Sequence, residues 1–155
     1  MNTLLIAPIL IPLSTACLAA LFWKAPALQR WIGLAGAAAL LGASIALLIE
    51  VADGAVLASG MGGWAPPFGI AIVVDGLSAI MLAITGLMAV AVAVYGMGPG
   101  AAERDRAGFQ PLFHSLLLGV CGAFSTGDLF NLYVWFEVML IASFGLLVLD
   151  RTKEQ

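Results

Sequence analysis

The sequence predicts an all-α, polytopic membrane protein: a bundle of five transmembrane helices with a short external β-hairpin. Three observations carry this reading. Apolar residues make up 63% of the 155 residues and charged residues only 10%, against about 45–50% and about 25% in ordinary soluble domains. Several stretches with no charge, or one, approach the roughly 20 residues that cross about 30 Å of hydrocarbon as helix. The six basic residues fall only in alternate connections between those stretches. This composition excludes an ordinary soluble enzyme, a nucleic-acid binder and a disordered regulator. The net charge of −3 is too small to imply a charged partner.

Cofactor chemistry lacks its ligands. His114 is the one histidine, and the two cysteines, Cys17 and Cys121, lie in apolar runs without a CxxC pair. A zinc site, a haem held by two histidines and an iron–sulfur cluster are therefore not expected. Neither a dinucleotide fingerprint nor a phosphate loop is present. Both cysteines read as small buried hydrophobes.

The first span, residues 4–23, is uncharged and contains Pro8 and Pro12, which either kink it or mark its outer turn. No basic residue precedes it, so it reads as a retained helix rather than a signal peptide. The second span covers 31–49. Ala38, Gly42 and Ala46 form a small-residue stripe on it, read either as a close-approach surface or as plain alanine richness. Strand-like Ala55–Ala58 and Gly69–Val74 flank a Gly/Pro-rich segment containing Trp64, Pro66 and Pro67. That pattern suggests a hairpin, with a loose loop as the alternative. The third span covers 77–97, and residues 98–107 read as a solvated connection. The fourth, 109–126, is short, and the fifth covers 129–149. Asp150–Gln155 is polar and reads as a link to further helices, so residues 1–155 form a single membrane domain belonging to a larger chain.

Lys24 and Arg30 lie between the first and second spans, Arg104 and Arg106 between the third and fourth, and Arg151 and Lys153 in the tail. The other two connections hold no base. Five crossings place all six on one side. Because cytoplasmic loops carry the Lys/Arg excess, the amino terminus is expected outside and the carboxy terminus inside. Trp23 and Trp31 then sit at the inner interface, where amphipathic rings are favoured.

Glu137 is the acid that needs a reason. It lies eight residues after Leu129 and twelve before Leu149, or about 12 and 18 Å along a helix. An ionised carboxylate there costs about 2.5–3.5 kcal/mol even on lenient insertion scales. It is therefore held neutral or met by a cation or a water-filled cavity, and either case makes it a candidate proton or ion site. A neutral Glu bonded to a neighbouring helix is the structural alternative. Every Lys and Arg is at a helix end or in a loop, so a cation has to come from another chain or from continuing sequence. Tyr133, four residues earlier, shares its helical face. His114 is a secondary candidate, either a proton relay or a snorkelling interfacial residue. Asp128 is another: it stands before the fifth span as Asp75 does before the third, and both suit helix capping or a surface role.

The stretch Gly119–Leu149, GVCGAFSTGDLFNLYVWFEVMLIASFGLLVL, resembles the core of the antiporter-like subunits of Mrp-type Na+/H+ antiporters, complex I and membrane-bound hydrogenases. GDLFNLYVWFEVMLIAS is most similar to the Mrp D subunit, and MNTLLIAPILIPL and GGWAPPFGIAIVVDGLSAIMLAITGLM fit it at matching places. The resemblance implies about fourteen helices in the whole subunit, an inverted repeat of five-helix units carrying the ion path, and a lysine on a later broken helix that pairs with Glu137. It implies a multisubunit complex in the prokaryotic cell (inner) membrane, in contact with lipid, that exchanges Na+ for H+. A redox-driven proton-pumping arm and a purely structural scaffold are the other readings. A transporter subunit is favoured over an enzyme, since no nucleophile–base pair is present.

Overall fold

A computed structural model describes residues 3–60, 69–98 and 100–149. The elements are α1 (Thr3–Leu21), α2 (Pro26–Glu50), β1 (Leu57–Gly60), β2 (Ala71–Val74), α3 (Gly76–Tyr95), α4 (Ala101–Ala107), α5 (Phe109–Ser125) and α6 (Leu129–Val148). Helices α1, α2, α3 and α6 are each long and apolar enough to cross a membrane. Helix α5 joins them as a fifth only together with α4, from which it is bent by 69°. Gly108 makes that bend at φ 104°, a left-handed conformation that glycine adopts without a Cβ penalty.

Local chemistry explains the boundaries. Pro26 opens α2 at its first turn, where a missing N–H costs nothing. Pro8 and Pro12 lie buried inside α1, and the helix runs through both. The Asp75 side chain caps α3, accepting from the Ser78 N–H at 2.8 Å, and this bond holds its carboxyl below the usual carboxylate range. A folded-state value lower than the unfolded one (about 3.9) stabilises above the latter and is lost as pH falls through the former. Asp75→Ala is therefore expected to lower the thermal midpoint of the full-length protein at neutral pH and to lose that effect in acid.

Helix α2 packs on α3, α1 packs on both α2 and α5, and α6 packs mainly on α5. The core between them holds Leu5, Leu40, Leu47, Leu82, Leu117 and Cys121. Close approach occurs at glycines. A Cβ on Gly86 would lie 2.7 Å from the Leu41 Cα, and one on Gly122 would meet the Trp135 ring. The Ala38–Gly42–Ala46 stripe does not serve this purpose within the chain. Ala38 and Gly42 lie off the packed face, because the buried face of α2 runs through Gly33, Gly36, Ala37, Leu40, Ser44 and Leu47. Cys17 is likewise exposed rather than buried, while Cys121 is buried as expected.

The two ends of the bundle differ. At one end β1 and β2 pair antiparallel, Leu57 opposite Val74 and Gly60 opposite Ala71, so the hairpin strands form. The turn with Trp64, Pro66 and Pro67 lies outside the described residues. Ile72 bridges to Thr126, and the Gly127 N–H donates to the Ala71 carbonyl at 2.8 Å. At the other end Trp23 covers Gly108, and Arg30 pairs with Asp105 at 2.8 Å. Lys24, Arg30, Arg104 and Arg106 thus share this basic-loop end, as the alternation of loops requires; Arg151 and Lys153 lie outside the described residues. Residues 98–107 are more than the expected solvated connection, since α4 forms there and buries Ala101 and Asp105.

Candidate ion-translocation site

Helix α6 has two faces of different chemistry. Trp135, Met139 and Gly145 lie against Gly122, Gly119 and Leu112 of α5, and Ala142 is buried between them. At about 100° per residue, Glu137 stands about 160° from both Met139 and Trp135. It therefore projects on the face turned away from α5, where it is half-buried. Phe130, Tyr133, Ile141 and Phe144 share that exposed face. The Tyr133 hydroxyl interacts with the Glu137 carboxyl, as their four-residue spacing predicts. Among the described residues no cation pairs with Glu137, and the Arg30–Asp105 ion pair lies elsewhere. Ser143 donates to the Leu140 carbonyl, away from this face.

Asp128 holds architecture in place. One carboxylate oxygen accepts from the Asn131 N–H at 2.6 Å, capping α6. The other accepts from the Ala71 N–H of β2 at 3.2 Å. Asn131 closes the turn by donating to the Thr126 hydroxyl at 2.9 Å. Losing a cap costs about 1 kcal/mol, and the hairpin anchor adds a hydrogen bond of similar worth. Asp128→Ala is therefore expected to destabilise by about 1–2 kcal/mol and to open the hairpin to proteolysis. Asp128→Asn should keep the cap but lose the anchor, because an amide nitrogen cannot accept.

His114 does not snorkel. It is 1% exposed, with Nδ1 3.1 Å from the Gln110 carbonyl, in the bundle interior beside Gly33. The sequence did not disclose its surroundings. Arg30 donates through Nε and Nη2 to one oxygen of Asp105, Gln110 donates to the other at 3.0 Å, and Gln29 is fully buried. The i, i+4 pair Gln110 and His114 on an otherwise apolar helix was the available signal. Of the four sequence candidates, Glu137 and Tyr133 lie on α6 and Asp128 caps it, while His114 lies on α5; the structure joins Tyr133 with Glu137 only. Among the described residues no group of three metal-ligating side chains occurs.

A bundle of helices this long and apolar defines a multi-pass membrane protein. No family model matches the chain. Over its full 155 residues it is 41% identical to the D subunit of the Na+/H+ antiporter of Alkalihalophilus pseudofirmus, of which it covers 31%. It superimposes on a chain of the Mrp complex from Dietzia sp. with a TM-score of 0.86 and 33% identity, over 94% of this chain and 27% of that one. The chain thus matches the D subunits of Mrp antiporters and spans about a third of the length of the relative it matches. A chain of an archaeal membrane-bound sulfane sulfur reductase shares the fold, with a TM-score of 0.87 at 24% identity over 97% of this chain and 31% of that one.

Proposed function

We infer that the chain is the five-helix amino-terminal domain of a D-type subunit in a multisubunit cation/proton antiporter of the prokaryotic cell membrane, with its hairpin outside and its basic loops inside. In this reading it helps exchange Na+ for H+, and Glu137 belongs to the proton path. One observation carries this: the single acid of α6 lies mid-helix on the face no described helix covers, with a phenol as its polar neighbour. A carboxylate at that depth is costly, so it is protonated or paired. A lysine-bearing helix, from continuing sequence or another chain, supplies the pair. Pairing favours the ionised form and separation favours the protonated one. Breaking the pair loads a proton, and re-forming it passes the proton on. The cation gradient supplies the free energy.

The test uses vesicles containing the whole complex and no electron donor. A Na+ gradient imposed across them is expected to drive proton movement, with K+ as the comparison cation. Proton movement that requires an electron donor and ignores the cation gradient would instead identify a redox-driven arm. The shared fold of the archaeal respiratory chain favours that as the second reading.

A further inference from the structure

The cluster at the basic-loop end contains an arrangement that Glu137 does not explain. Gln29, Gln110 and His114 are 0%, 4% and 1% exposed. Each has one polar atom that is buried without a partner: Gln29 Oε1, Gln110 Oε1 and His114 Nε2. Their orientations are fixed by what lies on the other side. Gln29 Nε2 faces the Phe22 carbonyl at 3.2 Å, and Gln110 Nε2 faces the Asp105 carboxylate. Carbonyl and carboxylate oxygens only accept, so both amides turn their nitrogens outward and their oxygens inward. The His114 ring faces two backbone groups, the Gln110 carbonyl at Nδ1 and the Gly33 backbone; with the proton on Nδ1, donated to Gln110, Nε2 carries the lone pair. The two amide oxygens are therefore acceptors, and Nε2 is one whenever the proton rests on Nδ1. The position where a Cβ on Gly33 would sit lies 2.1 Å from Gln110 Oε1 and 3.3 Å from His114 Cε1. Gln29 stands one turn before Gly33 on the same face of α2. Buried acceptors of this kind are satisfied by ordered water, and the occupant has to be a donor.

We propose that Gly33, Gln29, Gln110 and His114 enclose a hydrated proton-exchange site, separate from Glu137, in which His114 Nε2 takes and returns a proton and the Arg30–Asp105 pair closes the site to the aqueous phase. A protonated water breaks one O–H bond as Nε2 forms an N–H bond. Water and an imidazolium result, and Nδ1–H stays on the Gln110 carbonyl. The return step reverses this. The surrounding charges are few. Helices α1 and α3 carry no charged residue, and α6 offers only Glu137, on the face turned from α5. Helix α2 brings Arg30, with Glu50 at its far end, and α4 brings Asp105, held by Arg30 and Gln110. Arg104 of α4 donates to the Gly96 carbonyl at 3.2 Å, while Lys24, Glu103 and Arg106 are exposed. Asp105, bonded to Gln110 and paired with Arg30, is thus the acid joined to the site. The inference rests on the chain working in a proton-coupled transporter, and it is tested separately from Glu137.

The experiment uses the whole complex with His114→Gln, which cannot titrate, and Gly33→Ala, whose Cβ would push the Gln110 amide oxygen out of the site. Cation-driven proton flux, scaled to assembled protein and assayed from about pH 5 to 8, is expected to lose the wild type's pH dependence in both variants. Profiles that superimpose on the wild type, with only the amount of protein reduced, would assign the cluster a structural role and overturn the proposal. Nitrogen-15 spectra of histidine-labelled full-length protein give a readout independent of transport. The His114 signal, assigned by its loss in His114→Gln or His114→Asn, is expected to titrate. A signal fixed in the neutral form throughout that range overturns the proposal even if Glu137 proves essential. Conversely, a titrating His114 alongside a fully active Glu137→Gln variant would sink the Glu137 reading alone.

Discussion

Glu137→Gln in the complete complex is expected to reduce cation-driven proton flux to the level of vesicles without the complex, while the protein still assembles. The two halves of that result come from opposite faces of α6. The packing face, with Trp135 and Met139 against Gly122 and Gly119, is untouched by the change. Glutamine has nearly the shape of glutamate, so the stability cost stays within about 0.5 kcal/mol. What disappears is the ability to hold and release a proton. Trp135→Ala is the reciprocal control: it removes a ring packed on α5 at a cost of up to about 3–5 kcal/mol and leaves the carboxyl in place. A scaffold in which Glu137 is only a hydrogen-bonding group predicts normal flux in the glutamine variant.

Gly86→Leu is expected to prevent stable folding of the full-length protein, and Gly86→Ala to cost about 1–3 kcal/mol. A Cβ at this position meets the Cα and N of Leu41 at 2.7 and 3.0 Å. Backbone atoms cannot rotate away as a side chain can, so α2 and α3 have to separate. Those helices form one of the two most extensive interfaces of the bundle. Gly42→Ala provides the contrast. Nothing lies within 4 Å of its added Cβ, and alanine is the better helix former by about 0.8–1.0 kcal/mol. It should be neutral or stabilising within this domain. Thermal midpoints of the purified variants, read by fluorescence-detected size exclusion, check both.

What the sequence disclosed follows from the range of the forces involved. Hydropathy is a local sum, so the long apolar runs fell within a few residues of the helices found, 129–149 against Leu129–Val148 for instance. Capping is also local, and Asp75 and Asp128 were legible as caps. The face a helix buries is not local. Small residues recur at four-residue spacing along Ala38–Gly42–Ala46, yet α2 packs through the neighbouring Gly33–Gly36–Ala37 face, because α1, α3 and α5 approach there. Asp105 looked like a solvated loop acid. It is buried because α4 folds back toward Arg30, a pairing 75 residues apart that no local pattern encodes. Glu137 was legible because a lone carboxyl among apolar residues is anomalous without any knowledge of its neighbours.

Infrared difference spectroscopy of the whole complex, recorded as the Na+ gradient is reversed, addresses the Glu137 carboxyl itself. A protonated-carboxyl stretch is expected that rises in one gradient direction, falls in the other, and is absent from Glu137→Gln. A wild-type spectrum without that band, or with one indifferent to the gradient, would contradict the Glu137 reading.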